Sequence, residues 1–249
     1  NLIGHIALIR ATVAVSKRDA ETIVTQSQRA LAYLHPDNLP LRTATMWTLG
    51  VAKFMQGDRD AAEQALREAL ARSKAIGHFI IIILSSISLA NAVYADNRPD
   101  QARELYQYAL KRAGEPPSPV LCEAHLGLAR IAYQQNDLDE AQHHAEESVR
   151  LGRQIAHTDW HTGGEIMLAR IQVARGNAAG ALAMLSEAEQ RVKLQGFTYW
   201  LPMIEAAQAE AQTQARRPAR VDQPLIEPLS LRELEILRLI DQGLSNSQI

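Results

Sequence analysis

The sequence predicts an all-α protein built as an array of antiparallel helix pairs, and three observations support this prediction. Segments of similar pattern recur about every 40 residues, and the apolar residues within them follow helical spacing. Within each segment, a Gly or Asn followed by a polar residue separates two helices. At 249 residues and 47% apolar composition, the chain can bury a continuous core across such units.

Four copies of the unit align on one small residue. The copies are residues 49–70, 89–110, 128–149 and 168–189, with Ala62, Ala102, Ala141 and Ala181 in register. A weaker copy precedes them, with Ala20 as the matching residue. Because alanine lets two helix backbones approach closely, these positions predict the contact within each pair. Leu66, Tyr106 and Leu185 follow four residues later on the same helix face and are expected to fill the space between pairs.

Short polar turns separate the two helices of each unit. They read Gly57-Asp58, Asn97-Arg98, Asn136-Asp137 and Gly176-Asn177. Since Gly and Asn tolerate the left-handed backbone that closes a helix, these dipeptides predict helix ends rather than binding loops. A last helix, over about residues 199–214, has no following partner in the pattern and is expected to cap the array.

The pattern of Leu and a small residue in the first helix, with Ala in the second, resembles the tetratricopeptide repeat (TPR). The Leu-small pairs are Leu49-Gly50, Leu89-Ala90, Leu128-Ala129 and Leu168-Ala169. The resemblance implies a right-handed superhelix, an α-solenoid whose concave groove binds partners. Because the period exceeds the roughly 34 residues of that family, we expect longer helices and a different pitch. The repeat domain is assigned to residues 1–215.

The composition changes after the repeats. Residues 216–228 contain three prolines and predict a semi-extended linker, because proline removes a backbone donor and disfavours helix in the residue before it. Residues 229–249 then carry two capping boxes, which begin at Ser230 and Ser245 on either side of Gly243. These features predict two short helices joined by a tight turn, the opening of a helix-turn-helix motif.

This tail resembles the first half of a LuxR-type DNA-binding domain, through an Arg-Glu pair, an apolar helix and a Gly-Leu-Ser-Asn turn. The matching residues are Arg232, Glu233, Glu235, Leu237, Gly243, Leu244, Ser245, Asn246 and Ile249. Gln248 departs from the pattern, since the family usually carries Glu there. The matching residues belong to the scaffold of the motif, and the recognition helix that would enter the major groove is absent. DNA binding is therefore expected only through a longer parent protein.

Repeats, linker and tail together resemble the MalT-like bacterial transcriptional regulators. The resemblance implies that the repeats sense a small-molecule inducer or a regulatory protein or peptide in the concave groove and control the DNA-binding domain, with self-association on activation. It places any ATP-binding module upstream, and the Gly-x-x-x-x-Gly-Lys phosphate loop does not occur here, so no cofactor is expected in this chain. The alternative is a generic TPR-type protein- or peptide-binding scaffold that ends in a coincidental helix.

The scarce aromatic residues, 5% of the chain, supply the candidate ligand-binding residues. Trp160 and Trp200 lie one repeat apart, each at the start of a first helix, with His161 and Tyr199 beside them. One interpretation is a pocket for a small molecule or peptide near the C-terminal end of the groove. The other is that the large rings fill gaps where repeats stack.

Other functions find little support in the sequence. His157 and His161 are four residues apart, but the stretch around them reads as a turn and helix start, so no metal site is expected. No nucleophile, base and orienting residue stand out, so we expect no enzyme. The net charge of −2 gives no basic footprint for nucleic acid. The apolar run 79–84 is too short to cross a membrane, and the single Cys122, expected to be buried, fits a cytoplasmic protein.

Overall fold

The chain folds into eleven α-helices within the residues that the structure, a computed structural model, describes: 2–112, 114, 116–155 and 159–216. The helices are α1 (Leu2–Ser16), α2 (Ala20–Tyr33), α3 (Leu39–Met55), α4 (Arg59–Ala75), α5 (Phe79–Ala95), α6 (Pro99–Lys111), α7 (Cys122–Gln134), α8 (Leu138–Gly152), α9 (Thr162–Ala174), α10 (Ala178–Gln195) and α11 (Leu201–Arg216). Short 3-10 helices at Pro119–Leu121 and Thr198–Trp200 precede α7 and α11. Consecutive helices pack as antiparallel pairs, which confirms the predicted all-α repeat architecture.

The predicted linker and the LuxR-like tail lie outside the described residues, apart from Arg216 at the end of α11. The scaffold residues assigned to the tail therefore stay predictions. They are Arg232, Glu233, Leu237, Gly243, Ser245, Asn246 and Ile249. Within the described part, no helix is both long enough and apolar enough to span a bilayer.

One residue with left-handed backbone lies at each tight turn within a pair. The residues are Arg18, Gly57, Asn97, Asn136 and Gly176, with φ of 55°, 81°, 58°, 59° and 86°. The next amide bonds back to the carbonyl five residues earlier, as from Asp58 to Lys53 at 3.1 Å, and closes the helix end. The four predicted turns are thus confirmed. Arg18 departs from them, because arginine has a Cβ, unlike Gly, and lacks the short polar side chain of Asn, so the left-handed conformation is unfavourable by about 1–2 kcal/mol.

The small residues lie at the predicted contacts between helices. Ala62, Ala102, Ala141 and Ala181 are each the fourth residue of their helix, and each is fully buried. In α2 the equivalent residue is Ile23, also fully buried, so the match to Ala20 was wrong by three positions. The mismatch arises at the N-cap. Asp19 caps α2 as Asp58 caps α4, so equivalent positions in the two helices are counted from these residues.

Tyr106 shows how a large side chain fits against a small one. Its side chain on α6 is fully buried, and its ring packs directly on Gly127 of α7. Its hydroxyl donates a hydrogen bond to Oδ1 of Asn91 on α5, at 2.6 Å. Burial raises the pKa of the Tyr106 hydroxyl, so the group stays a neutral donor. One side chain therefore joins three consecutive helices.

We predict that Gly127→Ala destabilises the fold by about 1–3 kcal/mol, because the new Cβ would overlap the Tyr106 ring and force the α6–α7 contact apart. Urea unfolding of both proteins measures the difference. Gly114→Ala is the control, since a Cβ there meets no atom within 4 Å. Replacing Tyr106 by Leu in the Gly127→Ala background should restore part of the loss, and equal stability of Gly127→Ala and Gly114→Ala would contradict this packing.

Candidate functional site

A cavity of about 410 Å³ lies between the first helices of the pairs. Helices α1, α3, α5 and α7 contribute lining residues, and the segments just before α9 and α11 complete the wall. The volume falls in the range of about 300–1,000 Å³ that is typical of sites for small organic molecules. Residues from both ends of the described chain therefore meet around one space.

The wall of the cavity is mainly aromatic and aliphatic. All three tryptophans of the chain line it, Trp47, Trp160 and Trp200, and Tyr199 lies beside them. The indole N–H of Trp47 donates to Oγ of Ser88 at 3.0 Å, which fixes its ring on the neighbouring first helix. Because aromatic residues make up only 5% of the chain, their concentration here indicates a surface suited to an apolar or flat group.

Asp159 holds two of these rings. It is 2% exposed, and its Oδ2 accepts hydrogen bonds from the Tyr199 hydroxyl and the Trp200 indole N–H. Burial and the bond to Asp159 raise the pKa of the Tyr199 hydroxyl. Asp159 precedes α9 and both donors precede α11, so one carboxylate connects two successive repeats.

The start of α9 has glycine where Trp200 packs. A Cβ on Gly163 would lie 3.1 Å from the Trp200 ring and 2.6 Å from the Leu126 side chain. Both distances are shorter than ordinary van der Waals contact, so a larger residue would push α9 away from its neighbours. Gly163 therefore permits the close packing that places Trp200 at the cavity wall.

Arg18 contacts the same two rings from the first repeat. Its guanidinium carbon lies 5.0 Å from the centre of the Tyr199 ring and 5.5 Å from that of Trp200. Such cation–π contacts contribute about 0.5–1 kcal/mol at exposed sites. No carboxylate of the described residues forms an ion pair with Arg18. The contact closes the array by joining the first tight turn to the segment before α11.

Glu123 is the second side chain of the cavity without an opposite charge in contact. It lies in the first turn of α7 and is half-buried. Burial raises the pKa of its carboxyl; Arg130 and Arg18 oppose this shift, and Asp159 adds to it. Within the described part of the chain, Glu123 makes neither an ion pair nor a side-chain hydrogen bond. The cavity wall thus carries a guanidinium and a half-buried carboxyl group, neither of which is in an ion pair with another described residue.

The structure brings together three of the four predicted ligand-binding residues. Trp160, Tyr199 and Trp200 line the cavity, whereas His161 does not. The His161 ring interacts electrostatically with Glu165, its pKa is lowered by burial, and its Nδ1 has no hydrogen-bond partner among the described residues. Trp200 also packs in the hydrophobic core of α9–α11, so its ring both fills space between repeats and lines the cavity. Ligand binding by these four residues stays a prediction.

Sequence reasoning missed the places of Trp47, Arg18, Glu123 and Asp159 at the cavity. Arg18 carried a signal, because it occupies the turn position that holds Gly or Asn in the four aligned repeats. Trp47 and Glu123 carried none, since the cavity joins residues far apart in the chain. Among the described residues, which exclude His157, no group of three His, Cys, Asp or Glu side chains could hold a metal ion.

A pair of histidines lies outside the cavity, between α7 and α8. The Nδ1 atoms of His125 and His144 are 2.9 Å apart, so one ring donates a hydrogen bond to the other. Burial and the positive charge of a protonated neighbour lower the pKa of His125 to about 4, and the pKa of His144 is also lowered. The folded state therefore favours the neutral pair.

We predict that stability falls as the pH drops from 6.5 towards 4. The folded-state pKa of His125, about 4, lies below its ordinary value of 6.5, so the unfolded chain takes up the proton first. The contribution is complete above the ordinary value and is lost as the pH falls through the folded value. Urea midpoints across this window measure the effect. His125→Asn, whose amide can replace Nδ1, should show a shallower dependence, and parallel curves would contradict the assignment.

We also predict that Asp159→Asn destabilises the fold by about 1–3 kcal/mol, because a neutral amide oxygen accepts the two ring donors more weakly than a carboxylate and the amide brings buried N–H groups of its own. Thermal unfolding measures the loss, and a red shift of tryptophan emission should accompany it as Trp200 becomes more exposed to water. Asp37→Asn, at a side chain that is 91% exposed, is the control and should change stability little. Equal stability of the two variants would contradict the conclusion that Asp159 holds the two rings in place.

The chain is similar to several solved structures. Among solved structures, BtubC (BKLC) from P. vanneervenii is 20% identical with a TM-score of 0.56, over 78% of this chain and 80% of that one. NprR in complex with its cognate peptide NprX is 13% identical with a TM-score of 0.48, over 97% and 87%. A search of curated proteins found no match. The family profile described as the MalT-like TPR region matches residues 4–229, and the chain belongs to this family.

Proposed function

We propose that this chain is the effector-sensing region of a transcriptional regulator and that its effector binds in the cavity between the first helices. The observation that carries the proposal is the meeting of all three tryptophans at one cavity, beside a contact between the first and last repeats. Membership of the MalT-like TPR region family supports a regulatory setting. The proposal concerns ligand binding.

The position of the cavity suggests how occupancy acts on the rest of the protein. A ligand there would touch the Arg18 turn and the Tyr199–Trp200 segment at the same time. If it binds more tightly when these two parts are in contact, it shifts the population towards the closed array. Trp200 lies directly before α11, and α11 leads to the predicted linker at 216–228. The last helix is therefore the element we propose to relay the signal.

The proposed output is control of a DNA-binding domain that includes residues 229–249. This part of the proposal rests on the LuxR-like motif, with Arg232, Glu233 and the Gly243 turn as its clearest marks. Sequencing the gene past the codon of Ile249 tests it, since a Lys- or Arg-bearing recognition helix should follow. A stop codon or unrelated sequence would instead favour the generic TPR-type scaffold.

We predict that a metabolite library contains compounds that raise the melting temperature of this chain in a dose-dependent way. A ligand that binds only the native state stabilises it by about 2.7 kcal/mol at a hundred times its Kd. Differential scanning fluorimetry with an external dye measures the shift, and tryptophan emission reports on the cavity directly.

Two tryptophan substitutions show whether the ligand lies in the cavity. Leu84→Trp adds bulk to the cavity wall and should abolish the shift, whereas Leu194→Trp changes a side chain that is 90% exposed and should preserve it. Hits that persist in both variants would place the ligand elsewhere. A complete lack of hits, together with tight binding of a protein or peptide, would favour the scaffold alternative.

A further inference from the structure

We propose that the effector is a small zwitterion with an apolar body, the chemistry shared by apolar amino acids and short apolar peptides. The inference rests on the proposed sensing role of the cavity and specifies the class of ligand. It follows from three features of the wall: two carboxyl groups that interact electrostatically, a guanidinium apart from any ion pair of the described residues, and aromatic surface in the same cavity.

The carboxylates of Glu123 and Asp159 provide the site for an ammonium group. Both line the cavity, and the charge of Asp159 acts unfavourably on an ionised Glu123. The ring donors of Tyr199 and Trp200 already bind Asp159 Oδ2, while Glu123 has no side-chain hydrogen bond among the described residues. A cationic group placed between the two acids would offset their repulsion and supply the donors that Glu123 lacks.

Arg18 provides the site for a carboxylate. Its guanidinium lies over the rings of Tyr199 and Trp200. It forms no ion pair with an acidic side chain of the described residues. Guanidinium and carboxylate match in geometry and can form two parallel hydrogen bonds. Arg18 is exposed, and therefore a carboxylate can reach it at the edge of the cavity without complete desolvation.

The backbone at Arg18 supports a role for its side chain. The other tight turns within pairs use Gly or Asn at this position, where φ is positive. Arginine holds the same conformation at a cost of about 1–2 kcal/mol. Departures from a local rule that the rest of a chain obeys occur mainly at functional sites. The charge at this corner of the cavity is thus retained against the preference of the turn.

The remaining part of the cavity wall suits an apolar body. Trp47 and Trp160 face the cavity together with aliphatic residues of the first helices, including Val51, Leu84 and Ile87. A purely apolar ligand would remove water from Glu123 without supplying a hydrogen-bond partner, which is unfavourable. A neutral polar ligand could hydrogen-bond Glu123 and Arg18 but would make the weaker, uncharged bonds. A ligand with both charges and an apolar part matches the wall best.

The test uses the 249-residue chain and a matched set of probes, with isothermal titration calorimetry and tryptophan emission as readouts. L-Leucine, L-phenylalanine and the dipeptides Leu-Leu and Phe-Leu are the zwitterions. N-acetyl-L-phenylalanine lacks the ammonium group, L-phenylalaninamide lacks the carboxylate, and N-acetyl-L-phenylalaninamide lacks both. We expect at least one zwitterion to bind at least tenfold more tightly than the capped compounds, about 1.4 kcal/mol or more.

Two variants assign the charges. Glu123→Gln should remove the preference for phenylalanine over its N-acetyl form and keep the preference over its amide. Arg18→Asn should remove the preference for phenylalanine over its amide and keep the preference over its N-acetyl form. This variant should fold, because Asn97 and Asn136 hold the same turn conformation. Arg29→Gln, at an exposed position outside the cavity wall, is the control and should bind like the parent chain.

The possible results separate the ligand class from the function. Binding of dipeptides alone, or of amino acids alone, supports the inference and identifies the source of the zwitterion. Equal binding of the doubly capped compound overturns it, as does a library ligand that Leu84→Trp blocks while no zwitterion binds, although both results leave the sensing function intact. Ligand binding that is unaffected by Leu84→Trp overturns the proposed function as well, because the cavity is then not the site.

Discussion

The structure depends on one repeated contact, in which a small residue of one helix faces the backbone or a large side chain of the next. The fully buried alanines at the fourth position of α4, α6, α8 and α10 set the separation within pairs. Gly50 admits Leu66 within the α3–α4 pair, and Gly127 admits Tyr106 between α6 and α7. Because each helix contacts mainly its neighbours along the chain, the array is the sum of these local contacts.

The cavity is a consequence of that geometry rather than of any single motif. Stacking pairs in one sense places the first helices side by side, and the space that they enclose is bounded by residues from α1 to the segment before α11. Asp159 then couples two successive repeats, and Arg18 couples the first repeat to the last segment. These side chains turn an open stack into one with contact between its ends. A ligand at this place acts on an interface, where small changes in affinity alter the arrangement of whole repeats.

The sequence predicted what is local and missed what is distant. Turns at Gly57, Asn97 and Asn136 were predictable, because backbone chemistry at one or two residues decides them. The register of the first unit was wrong because similarity among alanines is a weaker signal than the cap at Asp19. Trp160 and Trp200 could be paired since they lie one repeat apart, but His161, adjacent to Trp160, lies away from the cavity wall. Trp47 and Glu123 lie far apart in the sequence, and only the stacking of the repeats brings them to the same cavity.

Two features of the cavity wall oppose the stability of the fold. Glu123 is partly desolvated without a cation in contact, which raises the pKa of its carboxyl, and Arg18 keeps an unfavourable backbone conformation. A chain selected only for a stable scaffold would carry Gly or Asn at the turn and an apolar residue on α7, as its other repeats show that such turns suffice. Both unfavourable features border the same cavity, and one bound zwitterion would offset the desolvation of Glu123. We therefore interpret both as features of a ligand-binding site. The affinity for the proposed ligand and the closing of the array would then arise from the same contacts, because the groups proposed to bind it belong to the first, middle and last repeats.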